Sequence, residues 1–418
     1  MWPRKQLDIG ATDLAYGLWQ VVAAHVRPSV EAVVGEGWVP ANEAIVSLSV
    51  RTGWDLLLSA LELPAGSEVI TSAVTIPDMV RIIEHHGLVP VAADVDVARL
   101  EPDVEQIERL ITPRTRAILV AHLFGSRVDM APIVELAKRH DLLVIEDCAQ
   151  AFVGSEYAGH SETDCALFSF GTIKTATALG GAVVRVRDAD LRSRMMKLQD
   201  CYPVQKRSAY LRRLVKYVGF YVLCKPRVYG LATRLMGAAG IDYDAALSNA
   251  ARSFPANELF SQIRRQPCVP LVRMLARRIT TFERRGMARL QRRCSRGDAL
   301  SQGLAAGMVV GEQNSLHTFW VVPVRVSNRE AVLKELRRAG FDATLRSSLV
   351  VVRNGNGTPA YEAPQAQWLS EIVFVPCGED VPDREWERLI SIVGRVAEAA
   401  KPVSARELAA VSGVSGSS

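Results

Sequence analysis

The sequence has few cysteines and no long apolar run, and each shortage excludes a class of protein. The 418 residues include seven cysteines, which are widely scattered and never spaced as Cys-x-x-Cys. This pattern argues against a disulfide framework and a zinc site, so we expect no metal and a reducing cytoplasm. No apolar run reaches the roughly eighteen residues that span a bilayer. The N-terminus "MWPRKQLDIG" lacks the apolar core of a signal peptide, so we do not expect export.

Acidic residues are scarce in one region of a chain whose composition is otherwise ordinary. Apolar residues make up 49% and charged residues 23%, as in a globular protein with a large core. Residues 201–300 contain twenty Lys or Arg but five Asp or Glu, a net charge of +15 in a chain whose total is +5. This excess suits a nucleic acid, an anionic membrane, a phosphate-bearing substrate or a solvated basic face. No recognition motif supports nucleic acid, which we do not expect as a partner.

The hydrophobic pattern between residues 51 and 190 alternates between strands and helices. Predicted strands include "SEVITS", "LVPVAADV", "RAILVAHL", "LLVIEDC", "DCALFSF" and "GGAVVRV". Near-continuous apolar strands predict an α/β fold with a mixed, mostly parallel sheet covered on both faces. After residue 317 a strand–helix–strand–helix pattern predicts a smaller α+β domain. We therefore expect a large domain at 1–245, a small C-terminal domain at 246–400 and a flexible tail at 401–418.

Between these two patterns the chain is basic and aromatic. Residues 202–245 form an atypical insert in the large domain, and "RMLARRITTFERRGMARLQRRC" further on predicts one basic helix. Within residues 207–236 aromatic and large aliphatic side chains lie among basic ones, which suits a membrane interface. The same composition suits a subunit interface, because exposed aromatic side chains commonly mark one. Both hypotheses stay open at this point.

Two charged side chains follow strands at the edge of the predicted sheet. Asp147 ends the apolar strand "LVIED", and Lys174 comes shortly after "LFSF". Open α/β sheets bind ligands at the carboxyl ends of their strands. A buried carboxylate needs a cation, which could be an arginine, a helix N-terminus or a protonated cofactor ring. A buried lysine has a depressed pKa and can attack an aldehyde, so together the two groups suit pyridoxal phosphate.

A phosphate site is suggested by Ser169 and by the turn "RTGWD" at residues 51–55. The stretch "RTGWDLLLSAL" predicts a loop entering a helix, and a helix N-terminus suits a phosphate. Neither signal is specific alone, because such residues usually serve only as helix caps. Gly180 and Gly181 would let the chain turn tightly into the next strand and hold the Lys174 loop near the site.

The order and spacing of these motifs resemble those of the DegT/DnrJ/StrS-type aminotransferases. The resemblance runs from about Arg51 to Asp188. It rests on "GSEVITSAVTIPDMV", "GLVPVAADVD", "ITPRTRAILVAHLFGSRVDM", "LVIEDCAQAFVGSEY" and "FSFGTIKTATALGGAVV", with a weaker match at "YEAPQAQWLSEIVFVPC". Members of this family depend on pyridoxal phosphate, have the fold of type I transferases and mostly act on nucleotide-linked keto sugars. The resemblance therefore implies that fold, that cofactor and a homodimer.

Matching positions imply roles for four polar residues. Lys174 would bind the cofactor aldehyde as a Schiff base and, once released, would shuttle protons as the catalytic residue. Asp147 would pair with the pyridinium nitrogen, and Gln150 would lie near the ring hydroxyl. Ser169 would contact the phosphate.

Other matching positions depart from the family's usual residues. Gly53 and Trp54 fall where the phosphate-binding turn lies, although "RTGW" replaces the usual Ser-Gly-Thr. Ile76 stands where the family has an aromatic side chain stacked on the cofactor ring. His122 matches a family histidine, for which we favour a structural role bonded to backbone. Residues 202–300 replace the family's usual middle segment, which shapes the sugar pocket and reaches the neighbouring subunit.

The implied reaction is transamination, because the family's dehydratases have histidine where this chain has Lys174. L-glutamate or L-glutamine would donate the amino group. A keto sugar, nucleotide-linked, would accept it in cell-surface polysaccharide or secondary-metabolite biosynthesis. Two alternatives stay open. One is a catalytically inactive relative that serves as a regulatory or scaffold subunit. The other is an aminotransferase for a lipid-linked or non-sugar ketone, with peripheral membrane contact through residues 207–236.

Overall fold

The computed structural model describes residues 1–4, 7–246, 258–352, 365–378 and 380–398. Its strands, in chain order, are β1 (Ala44–Ser47), β2 (Glu68–Ser72), β3 (Val74–Thr75), β4 (Val89–Ala93), β5 (Thr115–Ala121), β6 (Leu143–Asp147), β7 (Cys165–Ser169), β8 (Ala182–Val186), β9 (Val322–Arg325), β10 (Val350–Val351) and β11 (Ile372–Val375). The predicted tail at 401–418 lies outside the described residues.

The α-helices pack around these strands and connect most of them. They are α1 (Ala11–Ala23), α2 (Val30–Val34), α3 (Val50–Leu61), α4 (Pro77–His85), α5 (Val104–Leu110), α6 (Ala131–Arg139), α7 (Ala189–Asp200), α8 (Arg207–Leu223), α9 (Pro226–Ala238), α10 (Leu259–Ile263), α11 (Val269–Thr280), α12 (Phe282–Arg285), α13 (Met287–Gly303), α14 (Arg329–Arg338) and α15 (Asp383–Val396). Within the described ranges, no helix combines the length and apolarity needed to cross a bilayer.

Seven strands form the central sheet in the order β1-β8-β7-β6-β5-β2-β4. The strands β4, β2, β5, β6 and β7 run parallel to one another, while β8 is antiparallel to both β7 and β1. The predicted mixed, mostly parallel α/β sheet is therefore confirmed. Asp147 is the last residue of β6 and pairs with Ala121 on one side and Leu167 on the other. This register places its carboxylate at the carboxyl edge of the sheet.

Helices cover both faces of this sheet, because neighbouring residues of a strand point to opposite faces. Phe168 and Val183 pack with side chains of α1, α8 and α11 in one buried cluster. Leu167 and Val184 pack with side chains of α3, α4 and α7 in another. Both faces are thus apolar, which explains why the strands show continuous apolar runs rather than alternation.

The small α+β unit has its own buried cluster. Strands β9 and β11 pair in antiparallel fashion, and their valines pack against α14, α15 and the end of α13 from Leu300 onwards. Helices α10 and α11, in contrast, bury Ile263 and Leu271 in the clusters of the central sheet. The domain division at 245 and 246 stays a prediction, but packing assigns these two helices to the large sheet.

Two local predictions differ from the structure. The basic stretch that predicted one helix forms α11, α12 and α13, which are separated at Thr281 and Gly286. Gly286 is needed there, because a Cβ atom would lie 2.3 Å from the ring of Phe282. The stretch "RTGW" is not a loop before a helix, since α3 begins at Val50 and Ser49 caps it by accepting the amide N–H of Thr52.

Candidate active site

The turn after β7 carries Lys174 back over the carboxyl edge of the sheet. The amide groups of Ala178 and Gly180 donate to the carbonyl of Phe170 at 3.1 and 3.0 Å and close the turn. Gly180 and Gly181 have φ angles of 152° and 85°, a region that favours glycine. The tight turn predicted from these glycines is therefore present, and it directs the chain straight into β8.

Lys174 is mostly buried, and its ammonium lies 4.1 Å from the centre of the Trp320 ring. The indole N–H of Trp320 donates to the carbonyl of Ile173 at 3.0 Å, which fixes the ring against the turn. The pKa of Lys174 is lowered from its ordinary 10.5 to about 8, because the lowering by burial and by the nearby Arg51 outweighs the opposite effect of Asp147. Near neutral pH a useful fraction of the amine is therefore unprotonated and nucleophilic.

Asp147 is 9% exposed and has a raised pKa because burial disfavours its charged form. Among the described residues, its carboxylate accepts a hydrogen bond from the amide of Ala149 at 3.0 Å. Lys174, His122 and Arg51 act in the opposite direction and favour the carboxylate. A carboxyl group in this setting gains from a cationic hydrogen-bond donor, and a protonated ring nitrogen is such a donor.

Gln150 lies in the turn that follows β6, and Ser169 is the last residue of β7. The side-chain oxygen of Gln150 accepts the amide N–H of Phe124 at 2.8 Å, which orients the amide group beside the end of β5. The hydroxyl oxygen of Ser169 accepts the amide N–H of Gly171 at 3.3 Å. Both side chains thus lie at the same edge as Asp147, and their contacts with a cofactor stay predictions.

The first turn of α3 also lies at this edge, but its side chains are largely engaged by the protein. The hydroxyl of Thr52 donates to the carbonyl of Ile263 at 2.8 Å. Arg51 forms an ion pair with Asp78 at 2.5 Å and is close enough to Lys174 and Asp147 to change both pKa values. Arg51 and the N-terminus of α3 together provide positive potential for a phosphate.

Packing accounts for the residue types at Gly53, Trp54 and Ile76. A Cβ atom on Gly53 would lie 2.5 Å from a methyl group of Val184, so glycine lets α3 approach β8. Trp54 is fully buried, and its indole N–H donates to the carbonyl of Met79 at 3.2 Å. Ile76 immediately precedes α4, and its partly buried side chain packs against the apolar cluster that includes Met79 and Ile82. Cofactor contacts of these three residues stay predictions.

His122 belongs to a buried hydrogen-bond network under the site. Its Nε2 lies 3.0 Å from the Glu146 carboxylate, and its Nδ1 accepts the amide N–H of Val128 at 2.9 Å. Glu146 also accepts from the Thr163 hydroxyl at 2.6 Å. Despite burial, these partners lower the pKa of Glu146 from 4.5 to about 2. The histidine therefore has the structural role that we favoured.

The ligand atoms of His122, Glu146 and Cys148 lie within 4.8 Å of one another. Such a group could hold a metal ion by distance alone. Both ring nitrogens and the carboxylate are already engaged by protein hydrogen bonds. Burial also raises the pKa of the Cys148 thiol well above its ordinary value, which disfavours the thiolate that binds metals. We therefore interpret His122, Glu146 and Cys148 as part of a structural hydrogen-bond network rather than as metal ligands.

Trp320 and Asp8 are site-supporting residues that the sequence did not indicate. Asp8 accepts the amide N–H of Ala176 at 2.7 Å and is held by the guanidinium of Arg278 at 3.2 Å. Ala176 has a φ of 52°, which is unusual for a residue other than glycine, so this contact stabilises a strained turn. Both residues are distant from Lys174 in the sequence, and neither belongs to a local motif.

These groups fit pyridoxal phosphate by their chemistry. Lys174 is an amine of lowered pKa, Asp147 is a buried carboxyl group that gains from a cation, and Arg51 adds positive charge at the start of α3. Lys174 would bind the aldehyde, Asp147 the ring nitrogen, and Ser169 with the start of α3 the phosphate. The α/β fold and this donor set are those of the pyridoxal-phosphate-dependent transferases of fold type I.

The comparison with protein families is more specific. Residues 36–222 match the model of the DegT/DnrJ/EryC1/StrS aminotransferase family. The matched segment contains every predicted site residue, so the resemblance found in the sequence is confirmed. Aminotransferases of this family depend on pyridoxal phosphate, the cofactor that the donor set fits.

Two curated relatives and one solved structure extend this result. A GDP-perosamine synthase from Caulobacter vibrioides is 40% identical over 161 residues, which are 38% of this chain and 43% of that protein. A UDP-4-amino-4-deoxy-L-arabinose–oxoglutarate aminotransferase from Shewanella sediminis is 38% identical over 161 residues, or 38% of this chain and 41% of that protein. The aminotransferase TlmJ from Streptoalloteichus hindustanus superimposes with a TM-score of 0.68 at 20% identity, over 94% of this chain and 98% of that one.

These comparisons cover different shares of the chain. The chain matches about two fifths of the length of the curated relatives. The structural likeness to TlmJ covers nearly all of both chains, and at this identity it shows the fold alone. The predicted α/β fold, with a large, mostly parallel sheet and a smaller α+β unit, is confirmed.

Proposed function

We propose that this chain is a pyridoxal-phosphate-dependent aminotransferase that moves an amino group from glutamate or glutamine to a nucleotide-linked keto sugar. The observation that carries this proposal is that Lys174 and Asp147 lie at the carboxyl edge of the sheet, near enough for the charge of each to change the pKa of the other. The pKa of Lys174 is about 8, and the negative charge of Asp147 raises it. Neither property would be expected of a solvated lysine after a strand.

Each of the two residues has a defined task in such a reaction. When bound, pyridoxal phosphate supplies an electron sink that stabilises negative charge on the substrate carbon. The Asp147 carboxylate holds a proton on the ring nitrogen, which sustains that sink. The Lys174 amine accepts the proton from the substrate carbon and returns it to the neighbouring position. Its lowered pKa suits this task, because a general base works best with a pKa near the working pH.

The names of the two curated relatives support the choice of substrates. Each name contains a nucleotide-linked amino sugar, with GDP in one and UDP in the other. One name also contains oxoglutarate, the keto acid that remains when glutamate gives up its amino group. A nucleotide diphosphate is strongly anionic, so the net charge of +15 in residues 201–300 is compatible with such a ligand.

A half-reaction assay tests this proposal directly. Protein loaded with pyridoxamine phosphate would be mixed with GDP-linked, UDP-linked and free keto sugars, and amino sugars would be detected by mass spectrometry. We expect amination of a nucleotide-linked sugar, loss of this activity in Lys174→Ala, and retention in Lys197→Ala, where the lysine is exposed on α7. Cofactor uptake without amination of any sugar would contradict the acceptor class. Failure to take up the cofactor would contradict the whole proposal and favour a non-catalytic relative.

A further inference from the structure

Helices α8 and α9 form an insert with one buried face each. On α8, Tyr210, Leu214 and Tyr217 are buried against the body of the protein. On α9, Tyr229 and Thr233 are buried, and the Tyr229 hydroxyl donates to Asp342 at 2.6 Å. The helices are therefore firmly attached, and their remaining faces point outward.

The outward faces carry apolar stripes. Large apolar side chains recur on them at intervals of three, four or seven residues, which places them on one side of each helix. They are between 37% and 62% exposed and comprise Leu211, Val215 and Val222 on α8 and Val228, Leu231 and Leu235 on α9. Most surface helices of this kind show polar residues in such positions, so a continuous stripe indicates a binding surface.

The end of α1 extends this apolar surface. Trp19, Val22 and Val26 are between 62% and 77% exposed there. The Arg207 guanidinium at the start of α8 donates to the carbonyl of Val21 at 3.3 Å, which joins the two helices at this end. We call the apolar residues of α1, α8 and α9 named here, together with Val26 just after α1, the insert surface.

The charged side chains of α8 and α9 are all basic. Residues 207–238 contain seven Lys or Arg and no Asp or Glu. Arg212 and Lys216 follow Leu211 and Val215 by one position on α8, and they are exposed. Arg227 and Arg234 precede Val228 and Leu235 on α9 and are also exposed. Each stripe is thus bordered by guanidinium or ammonium groups along one side.

We propose that the insert surface binds an anionic phospholipid bilayer, with α8 and α9 lying in the plane of the interface. An apolar stripe bordered by Lys and Arg is the pattern of helices that lie at the boundary between headgroups and acyl chains. Trp19 suits the same depth, because tryptophan is enriched at membrane interfaces. The basic border gains further free energy from the negative potential of anionic lipids.

A second copy of the chain is a poorer occupant of this surface. A twofold interface places the same patch on both subunits. It would bring two sets of five exposed positive charges together, with no acidic residue of 207–238 to compensate them. An anionic bilayer, in contrast, is complementary to that charge. The proposal does not depend on the proposed aminotransferase function, because it involves none of the residues assigned to the site.

The same insert contacts the turn that carries Lys174. The Tyr210 hydroxyl donates to the carbonyl of Ala178 at 2.9 Å, and Arg213 donates to the carbonyl of Leu179 at 3.0 Å. Both contacts come from inward-facing positions of α8. Substitutions on the outward face should therefore change bilayer binding without changing the cofactor site.

Flotation with vesicles tests the proposal. The full chain would be incubated with vesicles of phosphatidylcholine alone or mixed with phosphatidylglycerol. We expect flotation only with the anionic vesicles, and weaker flotation at high salt because the charges are screened. Removing one basic side chain should lower the partition coefficient about fivefold, so Arg212→Gln with Arg234→Gln should lower it about 25-fold. Lys334→Gln, an exposed control on α14, should float like the wild type.

Two further measurements complete the test. Brominated lipids should quench tryptophan fluorescence in the wild type but much less in Trp19→Phe, since the other six tryptophans are buried or partly buried. Val215→Asp with Leu231→Asp should abolish flotation while leaving the cofactor absorbance and the sedimentation coefficient in lipid-free buffer unchanged. Absence of flotation with anionic vesicles, or a change from dimer to monomer in the aspartate variant, would overturn the proposal. The second result would identify a subunit interface instead.

Discussion

The ammonium group of Lys174 lies 4.1 Å from the centre of the Trp320 ring, and the indole N–H of Trp320 holds the carbonyl of Ile173. The ring therefore both contacts the reactive amine and fixes the turn that presents it. This arrangement joins the large sheet to the segment that precedes β9. It also gives the turn a rigid support close to the point where the cofactor aldehyde would bind.

Substitutions of Trp320 should separate these two effects. Trp320→Phe keeps a ring near the amine but loses the hydrogen bond, whose net contribution is about 1 kcal/mol, so affinity for pyridoxal phosphate should fall about fivefold. Trp320→Leu also loses the cation–π contact, and affinity should fall roughly tenfold or more. Absorbance titration with the cofactor measures both. Equal effects of the two variants would show that the hydrogen bond alone matters.

Asp147 and Arg51 should shift the pKa of Lys174 in opposite directions. Asp147 raises that pKa and Arg51 lowers it. In the cofactor-free protein, Asp147→Asn should bring the pKa below about 8, and Arg51→Gln should bring it above. NMR of isotopically labelled lysine, followed over pH, measures the titration. Shifts of the same sign in both variants would contradict the assigned electrostatics.

Asp8 should matter for the cofactor although it lies outside the site. Asp8→Ala removes the acceptor for Ala176 and the partner of Arg278, so the Lys174 turn should loosen. A hydrogen bond to a charged group contributes about 1.5–3 kcal/mol, which corresponds to a loss of cofactor affinity of roughly tenfold or more. Asp8→Asn keeps one acceptor oxygen and should be intermediate. Hydrogen exchange of the turn amides should rise in the same order, and unchanged exchange would exclude this support.

Glu146 should control the acid stability of the fold. Its pKa is about 2 in the folded protein against an ordinary 4.5, so its stabilisation is complete above pH 4.5 and is lost as the pH falls towards 2. Glu146→Gln should lower the free energy of unfolding by about 3 kcal/mol at neutral pH. In this variant the free energy of unfolding should fall less steeply than in the wild type as the pH drops below 4.5. Thermal unfolding over pH checks this, with the exposed Glu135→Gln as a control that should behave like the wild type.

The sequence predicted the central sheet well because its strands are buried on both faces. Each predicted strand from "SEVITS" to "GGAVVRV" is present, and Asp147 lies at the predicted strand end. The helix breaks at Thr281 and Gly286 were missed, since a basic amphipathic pattern continues through both positions. The close approach of the Phe282 ring explains why the residue at the second break is glycine.

The candidate site was predictable only where its residues follow local motifs. Lys174 and Asp147 stand next to strands, and the family motif connects them. Trp320 and Asp8 reach the site through tertiary contacts from distant segments, and no local pattern marks them. For Gly53 and Trp54, a matching family position does not by itself indicate a cofactor contact. Their residue types are explained by packing, of Gly53 against Val184 and of Trp54 against Met79.

The central claim is that Lys174 is the residue that holds pyridoxal phosphate. The most direct measurement adds the cofactor to the purified protein, reduces the complex with borohydride and maps the modified peptide by mass spectrometry. We predict visible absorbance of the lysine-bound cofactor before reduction and a single modified residue, Lys174, after it. Lys174→Ala should lose both signals, and Lys197→Ala should keep them. Modification at another lysine, or a coloured Lys174→Ala protein, would contradict the account.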